Sequence, residues 1–304
     1  MSKQKFSIRQ HSELFMVAVF RLLPIDMVSS IGAWLGRRRV QRAIRLKRKW
    51  VERLHRNFEC LEGLTEHRLR EQRIIQHVEH LGRVYSEYAV LHKIALRRFN
   101  VEGGERISGI DGPVIYVCIH TGHWELIGEV IRRFGGNVVA LYDPIPDKAR
   151  LKVAMDVRKN FRPENAGTRY VPASPRAARD MMNYLKQGES LSIFIDEEKD
   201  GLVWAPALGR KIPLAGNRML AARLAVKQGL PVIPIHIQRK EGANFEATIE
   251  PPILPDGRLD KKLAAAELAK QLNDISERWV KEDISHWYWL AQLNLDKPFP
   301  KKRS

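Results

Sequence analysis

His120 and Glu125, within Ile119-His120-Thr121-Gly122-His123-Trp124-Glu125, are the residues whose types and spacing could do chemistry in this chain. An imidazole takes up a proton near neutral pH. A carboxylate on its second ring nitrogen fixes the tautomer and stabilises the imidazolium that forms. Glu125 stands five positions after His120 across a Thr-Gly turn, and that spacing lets it reach the second nitrogen. The pair forms the base half of a triad without a protein nucleophile, which leaves that part to a substrate hydroxyl.

Other readings of the same residues stay open. A histidine at a strand end can be a plain hydrogen-bonding turn residue. His120, His123 and Glu125 could ligate zinc, although they straddle a turn and do not share one helical face. Cys118 could be a nucleophile with His120 as its base. It lies inside an apolar strand, however, where cysteine behaves as a small hydrophobe.

The apolar run Val114-Ile115-Tyr116-Val117-Cys118 is what must position His120. It predicts a buried strand, 113–119, that ends at the edge where open α/β sheets bind ligands. A helix over 125–134 follows, and the amides of Thr121, Gly122 and His123 at its start are the expected oxyanion donors. Beyond residue 100 short strands (137–142, 190–195, 231–238, 244–250) alternate with helices (147–161, 175–187, 217–228, 260–283). That pattern predicts an α/β fold with a mostly parallel central sheet flanked by helices. Residues 1–100 are expected to be a helical N-terminal region and 101–304 the α/β core, as one compact unit. Apolar residues from Leu69 to Leu91 recur at helical intervals, so 66–99 reads as one uninterrupted helix.

The chain has 52 Lys and Arg against 35 Asp and Glu, a formal net charge of +17, which implies an anionic partner. Two cysteines far apart in sequence, Cys60 and Cys118, form no disulfide framework and no metal motif. Leu14 to Phe20 is apolar, but Arg21, Pro24 and Asp26 interrupt it before a membrane span is reached. An amphipathic piece, Met27 to Leu35, follows, and then Arg37, Arg38, Arg39, Arg42, Arg45, Lys47, Arg48 and Lys49. An apolar helical hairpin backed by cations is expected to lie on an anionic leaflet as a monotopic anchor.

Further motifs occur in order. Ser192-Ile193-Phe194-Ile195-Asp196 ends a strand on an acidic residue; Val203 to Gly209, Pro213 and Ala215-Gly216-Asn217 lead into a helix; Gly229 to Ile235 holds two prolines. With His120, Gly122, His123, Trp124 and Glu125, this set resembles the lysophospholipid acyltransferase superfamily. The resemblance is greatest to the late acyltransferases of bacterial lipid A biosynthesis, the lauroyl/myristoyl group, and spans roughly Leu14 to Leu290. It implies transfer of a fatty acyl chain from acyl carrier protein to a hydroxyl of an anionic lipid A precursor, at the cytoplasmic face of the inner membrane. No metal and no cofactor is expected. It makes His120 the general base, Glu125 its partner and Asp196 part of the acceptor-binding region.

The resemblance has departures. Asp143-Pro144 stands where the group has Arg-Pro, and Ala291-Gln292-Leu293 where His-Arg-Arg often follows the aromatic ending Trp287-Tyr288-Trp289-Leu290. Glu197 occupies the position where glycerolipid acyltransferases carry a phosphate-binding Arg. The phosphate then falls to Arg158, which matches a recurrent Arg of the group, or to Arg210, Lys211 and Arg218. Trp204, Trp287, Tyr288 and Trp289 are amphipathic rings; the last three suit an acyl pocket or a position at headgroup depth. Two rivals are an acyl-CoA-dependent lysophospholipid or glycolipid acyltransferase and a non-catalytic basic protein. Nothing in the chain has the spacing of a nucleic-acid-binding motif, so no nucleic acid partner is expected.

Overall fold

The computed structural model describes residues 7–160, 169–199 and 201–295. It opens with α1 (Ile8–Leu22), α2 (Ile25–Arg45), α3 (Lys49–Glu62) and α4 (His67–Glu87), then a 3-10 turn at Tyr88–Val90 and α5 (Leu91–Arg97). Pro24 separates the first two helices, since a proline ring cannot continue the hydrogen-bond ladder of the preceding turn. β1 (Phe99–Glu102), the one-turn α6 (Glu105–Ser108) and β2 (Ile115–Cys118) follow. A 3-10 turn at Trp124–Leu126 then leads into α7 (Ile127–Phe134), β3 (Val138–Tyr142) and α8 (Lys148–Asn160). Next come β4 (Arg169–Pro172), α9 (Ala177–Lys186), β5 (Ser190–Phe194) and the short hairpin β6 (Glu198–Lys199) and β7 (Leu202–Val203). The chain closes with α10 (Gly216–Gln228), β8 (Val232–Arg239), β9 (Phe245–Ile249), α11 (Lys261–Glu282) and two 3-10 turns, Ile284–His286 and Tyr288–Ala291.

Among the described residues the main sheet has the order β1-β9-β8-β2-β5-β3-β4. Pairing is parallel throughout except between β8 and β9, so the mostly parallel α/β fold is as expected. β1 and β4, each of four residues, were too short to stand out from the helices and loops around them. The helix expected over 66–99 is instead broken at Tyr88, where the backbone tightens to a 3-10 turn. Residue 161, the last of another expected helix, lies outside the described residues.

The central strands are buried on both faces, and their period of two sorts side chains into separate cores. Ile115, Val117 and Ile119 pack with Leu191, Ile193 and Ile195 against α9, α10 and α11. Tyr116 and Cys118 face the other way, with Ile233, Ile235 and Ile237, toward α5 and α7. Helices therefore cover both faces. Asp260 caps α11 by accepting from the amides of Lys262 and Leu263, a contact worth about 1 kcal/mol.

α2 and α4 cross with their backbones touching. A Cβ added at Gly82 would run into the Gly32 carbonyl, and one at Gly36 into the Val78 carbonyl. No helix among the described residues is long and apolar enough to cross a membrane.

Candidate active site

β2 and β5 are neighbours in the parallel register Cys118↔Phe194. Two residues further along each strand stand His120 and Asp196. His120 Nδ1 lies 2.8 Å from Asp196 Oδ1, and the His120 amide donates to Asp196 Oδ2 over 2.8 Å. Trp287 Nε1 donates to the same oxygen at 2.9 Å. A carboxylate on Nδ1 places the ring proton there and leaves Nε2 as the basic nitrogen. The Asp196 side chain is fully buried, while 21% of the His120 side chain remains accessible.

Glu125 does not make the contact expected of it. Its carboxylate accepts two hydrogen bonds from Arg158, at 2.8 and 2.9 Å, and one from the Tyr88 hydroxyl at 3.1 Å. Burial alone would push this carboxyl up. The charge and hydrogen bonds of Arg158 outweigh burial and hold it below its ordinary value. Arg158, in turn, is raised despite its own burial, and it lies over the Tyr142 and Tyr170 rings. The carboxylate on His120 Nδ1 is thus that of Asp196, a residue expected in the acceptor-binding region.

Aromatic rings surround His120. Phe194 is 4.2 Å away between centroids, Trp124 5.5 Å, Trp289 5.6 Å and Tyr288 5.9 Å. Trp287 is fully buried, and its indole N–H holds Asp196. Gly122 adopts φ +55°, and a Cβ there would come within 2.6 Å of the Ile237 carbonyl, so only glycine fits this turn. The Thr121 hydroxyl donates to the same carbonyl, and the Thr121 amide to Ile119. The amides of Gly122 and His123 make no hydrogen bond among the described residues.

Cys118 is 1% exposed, and burial, reinforced by the charges of Asp196 and Glu125, pushes its thiol well up, which does not suit a nucleophile. His123 is wholly buried with its imidazole lowered to about 4, chiefly by burial, and its ring packs beside Tyr88. Among the described residues no three His, Cys, Asp or Glu side chains converge as a metal site would need.

Two of the arginines considered for a phosphate are turned to the protein's own carbonyls and amides. Arg210 donates to the carbonyls of Val203, Pro206 and Ala207, and Arg218, 1% exposed, donates to Asn273 and the Pro213 carbonyl. Both guanidiniums are lowered to about 10 by burial. They hold the 203–218 loop, whereas Lys211 is exposed to solvent. Tyr88 and Phe194 were missed as site residues. The register of β2 with β5 identifies Phe194, but Tyr88 reaches Glu125 from a helix 37 residues away.

A mostly parallel sheet here presents a carboxylate-backed imidazole at the C-terminal ends of β2 and β5, and such a pair can take a proton from a hydroxyl. The profile of the family described as "Bacterial lipid A biosynthesis acyltransferase" matches residues 7–295, and the chain belongs to that family. It is an O-acyltransferase. No curated protein matches the sequence. Among solved structures, the 1-acyl-sn-glycerophosphate (LPA) acyltransferase PlsC of Thermotoga maritima is similar at 18% identity and a TM-score of 0.40, over 91% of this chain and 99% of that one.

Proposed function

We propose that the protein transfers a fatty acyl chain from acyl carrier protein to a hydroxyl of a lipid A precursor, with His120 as general base. The observation that carries this reading is the 2.8 Å contact between His120 Nδ1 and Asp196, which leaves Nε2 free to take the hydroxyl proton. The oxygen then attacks the thioester carbonyl. The amides of Gly122 and His123 are the donors available to the oxyanion, a type of stabilisation worth roughly 3 kcal/mol per donor. Collapse of the tetrahedral species breaks the C–S bond, and the imidazolium returns its proton to the departing thiolate. No covalent acyl-enzyme is needed. Asp196 fixes the tautomer, and Glu125 holds Arg158 and the Tyr88 hydroxyl in place by hydrogen bonds.

The α1–α2 hairpin is the part we assign to the cytoplasmic leaflet of the inner membrane. α1 buries no residue, and it exposes Phe15 (70%) and Leu22 (85%); α2 exposes Trp34 and Leu35 just before Arg37, Arg38 and Arg39. Apolar side chains flanked by cations suit an anionic interface, each cation adding about 1 kcal/mol. The test is transfer of labelled acyl chains from acyl carrier protein or coenzyme A to a Kdo-bearing lipid A precursor and, separately, to lysophosphatidic acid. Product from the carrier protein on the lipid A precursor supports the reading; product on the lysolipid alone overturns the choice of acceptor.

A further inference from the structure

His80, on α4, is 2% exposed, and its hydrogen bonding is incomplete. Arg239 Nε donates to His80 Nδ1 over 3.1 Å. A guanidinium N–H can only donate, so Nδ1 is the bare nitrogen and Nε2 carries the ring proton. That buried N–H has no acceptor among the described residues. Such an orphan asks for a partner from outside the chain.

His80 is among the residues that line a polar cavity of about 270 Å³ between α4, the end of β8 and the 283–286 turn. Most charged groups around it are already engaged. Arg73 forks onto Glu62, Arg37 reaches Glu79, and Arg239 forks onto Glu87. Asp283 accepts from Ser285 on one oxygen and pairs with His286 on the other. Arg83 differs. It donates only to the Ser29 hydroxyl, at 2.7 Å, and meets no carboxylate within ion-pair distance among the described residues. Arg83, a half-buried cation with donors to spare, and His80, with its buried orphan N–H, are thus both lining residues of one cavity.

We propose that this cavity binds one phosphate-type anion through Arg83 and His80 Nε2–H. The planar fork of Arg83 matches phosphate oxygens, and His80 supplies one further donor of fixed direction. The cavity shares a wall with the active site. The Thr121-Gly122 turn rests on Ile237 and Arg239, and Tyr288, two residues after His286, donates its amide to the His120 carbonyl. A lipid acceptor whose phosphate sits in this cavity would therefore lie beside His120, whose carbonyl accepts from the Tyr288 amide. Naming the acceptor as its source rests on the function proposed above, whereas the anion site does not.

The test is calorimetric titration of the full-length protein with inorganic phosphate. Wild type is expected to bind, Arg83→Gln at least tenfold more weakly, and His120→Ala as wild type does. Absence of binding to wild type, or unchanged binding by a folded Arg83→Gln, overturns the site. Should Arg83→Gln fail to fold, the His80 imidazole N–H resonance of wild type decides: it shifts with phosphate if the site exists and stays fixed if it does not. A tenfold rise in KM for the phosphorylated acceptor in Arg83→Gln, at unchanged kcat, assigns the site to the acceptor. Unchanged KM with lost phosphate binding assigns it to free phosphate. Failure of wild type to transfer any acyl chain counts against the proposed function alone, because the titration does not depend on transfer.

Discussion

Asp196 lies beside His120 because β2 and β5 are parallel neighbours with Cys118 opposite Phe194. The strand pairing aligns the two ends, and the carboxylate then bonds both the ring and the amide of His120. One side chain therefore sets both the tautomer and the backbone position of the base. Trp287, donating to the same carboxylate, ties the C-terminal segment to this point.

The Glu125–Arg158 pair is buried and forked, so breaking it from one side should be costly. Removing one partner of a buried pair leaves an uncompensated charge and costs about 3–5 kcal/mol. Arg158→Met is expected to destabilise the protein by that order in urea unfolding. Adding Glu125→Gln to Arg158→Met should recover part of the loss. Equal stability of the single and double variants would show that the charge on Glu125 is not what Arg158 compensates.

Buried neutral histidines predict acid sensitivity. Burial lowers His77 to about 4, His123 to about 4 and His236 to about 3, against 6.5 for the ordinary side chain. The unfolded chain therefore binds more protons between these values, and stability falls as pH drops from about 6.5 toward 4. Each histidine contributes on the order of a few kcal/mol to the total loss. His77→Asn, whose amide can still donate to the Ser285 carbonyl, should flatten the dependence of the urea midpoint on pH. An unchanged slope would remove His77 from the explanation.

The crossing of α2 with α4 leaves no room at Gly82. Gly82→Ala forces a methyl against the Gly32 carbonyl, and overpacking of this kind costs about 1–3 kcal/mol. Its thermal midpoint should fall by several degrees, whereas Gly257→Ala, with open space around it, should leave the midpoint unchanged. Equal midpoints for the two variants would mean that the helices separate readily.

If the α1–α2 hairpin rests on a leaflet, replacing Phe15 and Trp34 by serine should weaken binding to anionic vesicles at least tenfold. Folding should be unaffected, because both rings are exposed. Undiminished vesicle binding would place the contact surface elsewhere.

Local pattern carried much of the fold and part of the site. The apolar run before His120 is a strand, and the turn after it needs Gly122, because β8 passes directly behind. What local pattern lacks is strand order. Asp196 was legible as the acidic end of a strand, but that β5 lies next to β2 is a tertiary fact, and Glu125 was the nearer carboxylate along the chain. The same gap explains Arg210 and Arg218: their type suits phosphate, while their burial against loop carbonyls is invisible in one dimension. Tyr88 sat inside an unbroken helical periodicity that gave no sign of the 3-10 turn.

The most direct test is the single-turnover rate of acyl transfer from acyl carrier protein to the lipid A precursor by Asp196→Asn. Asparagine keeps the shape and can still accept from Trp287, but it no longer holds the proton on His120 Nδ1 with a charge. The rate is expected to fall about 10²- to 10⁴-fold with the fold intact by circular dichroism. Transfer at the wild-type rate by a folded Asp196→Asn would contradict the assignment of His120 and Asp196 as the base and its orienting carboxylate.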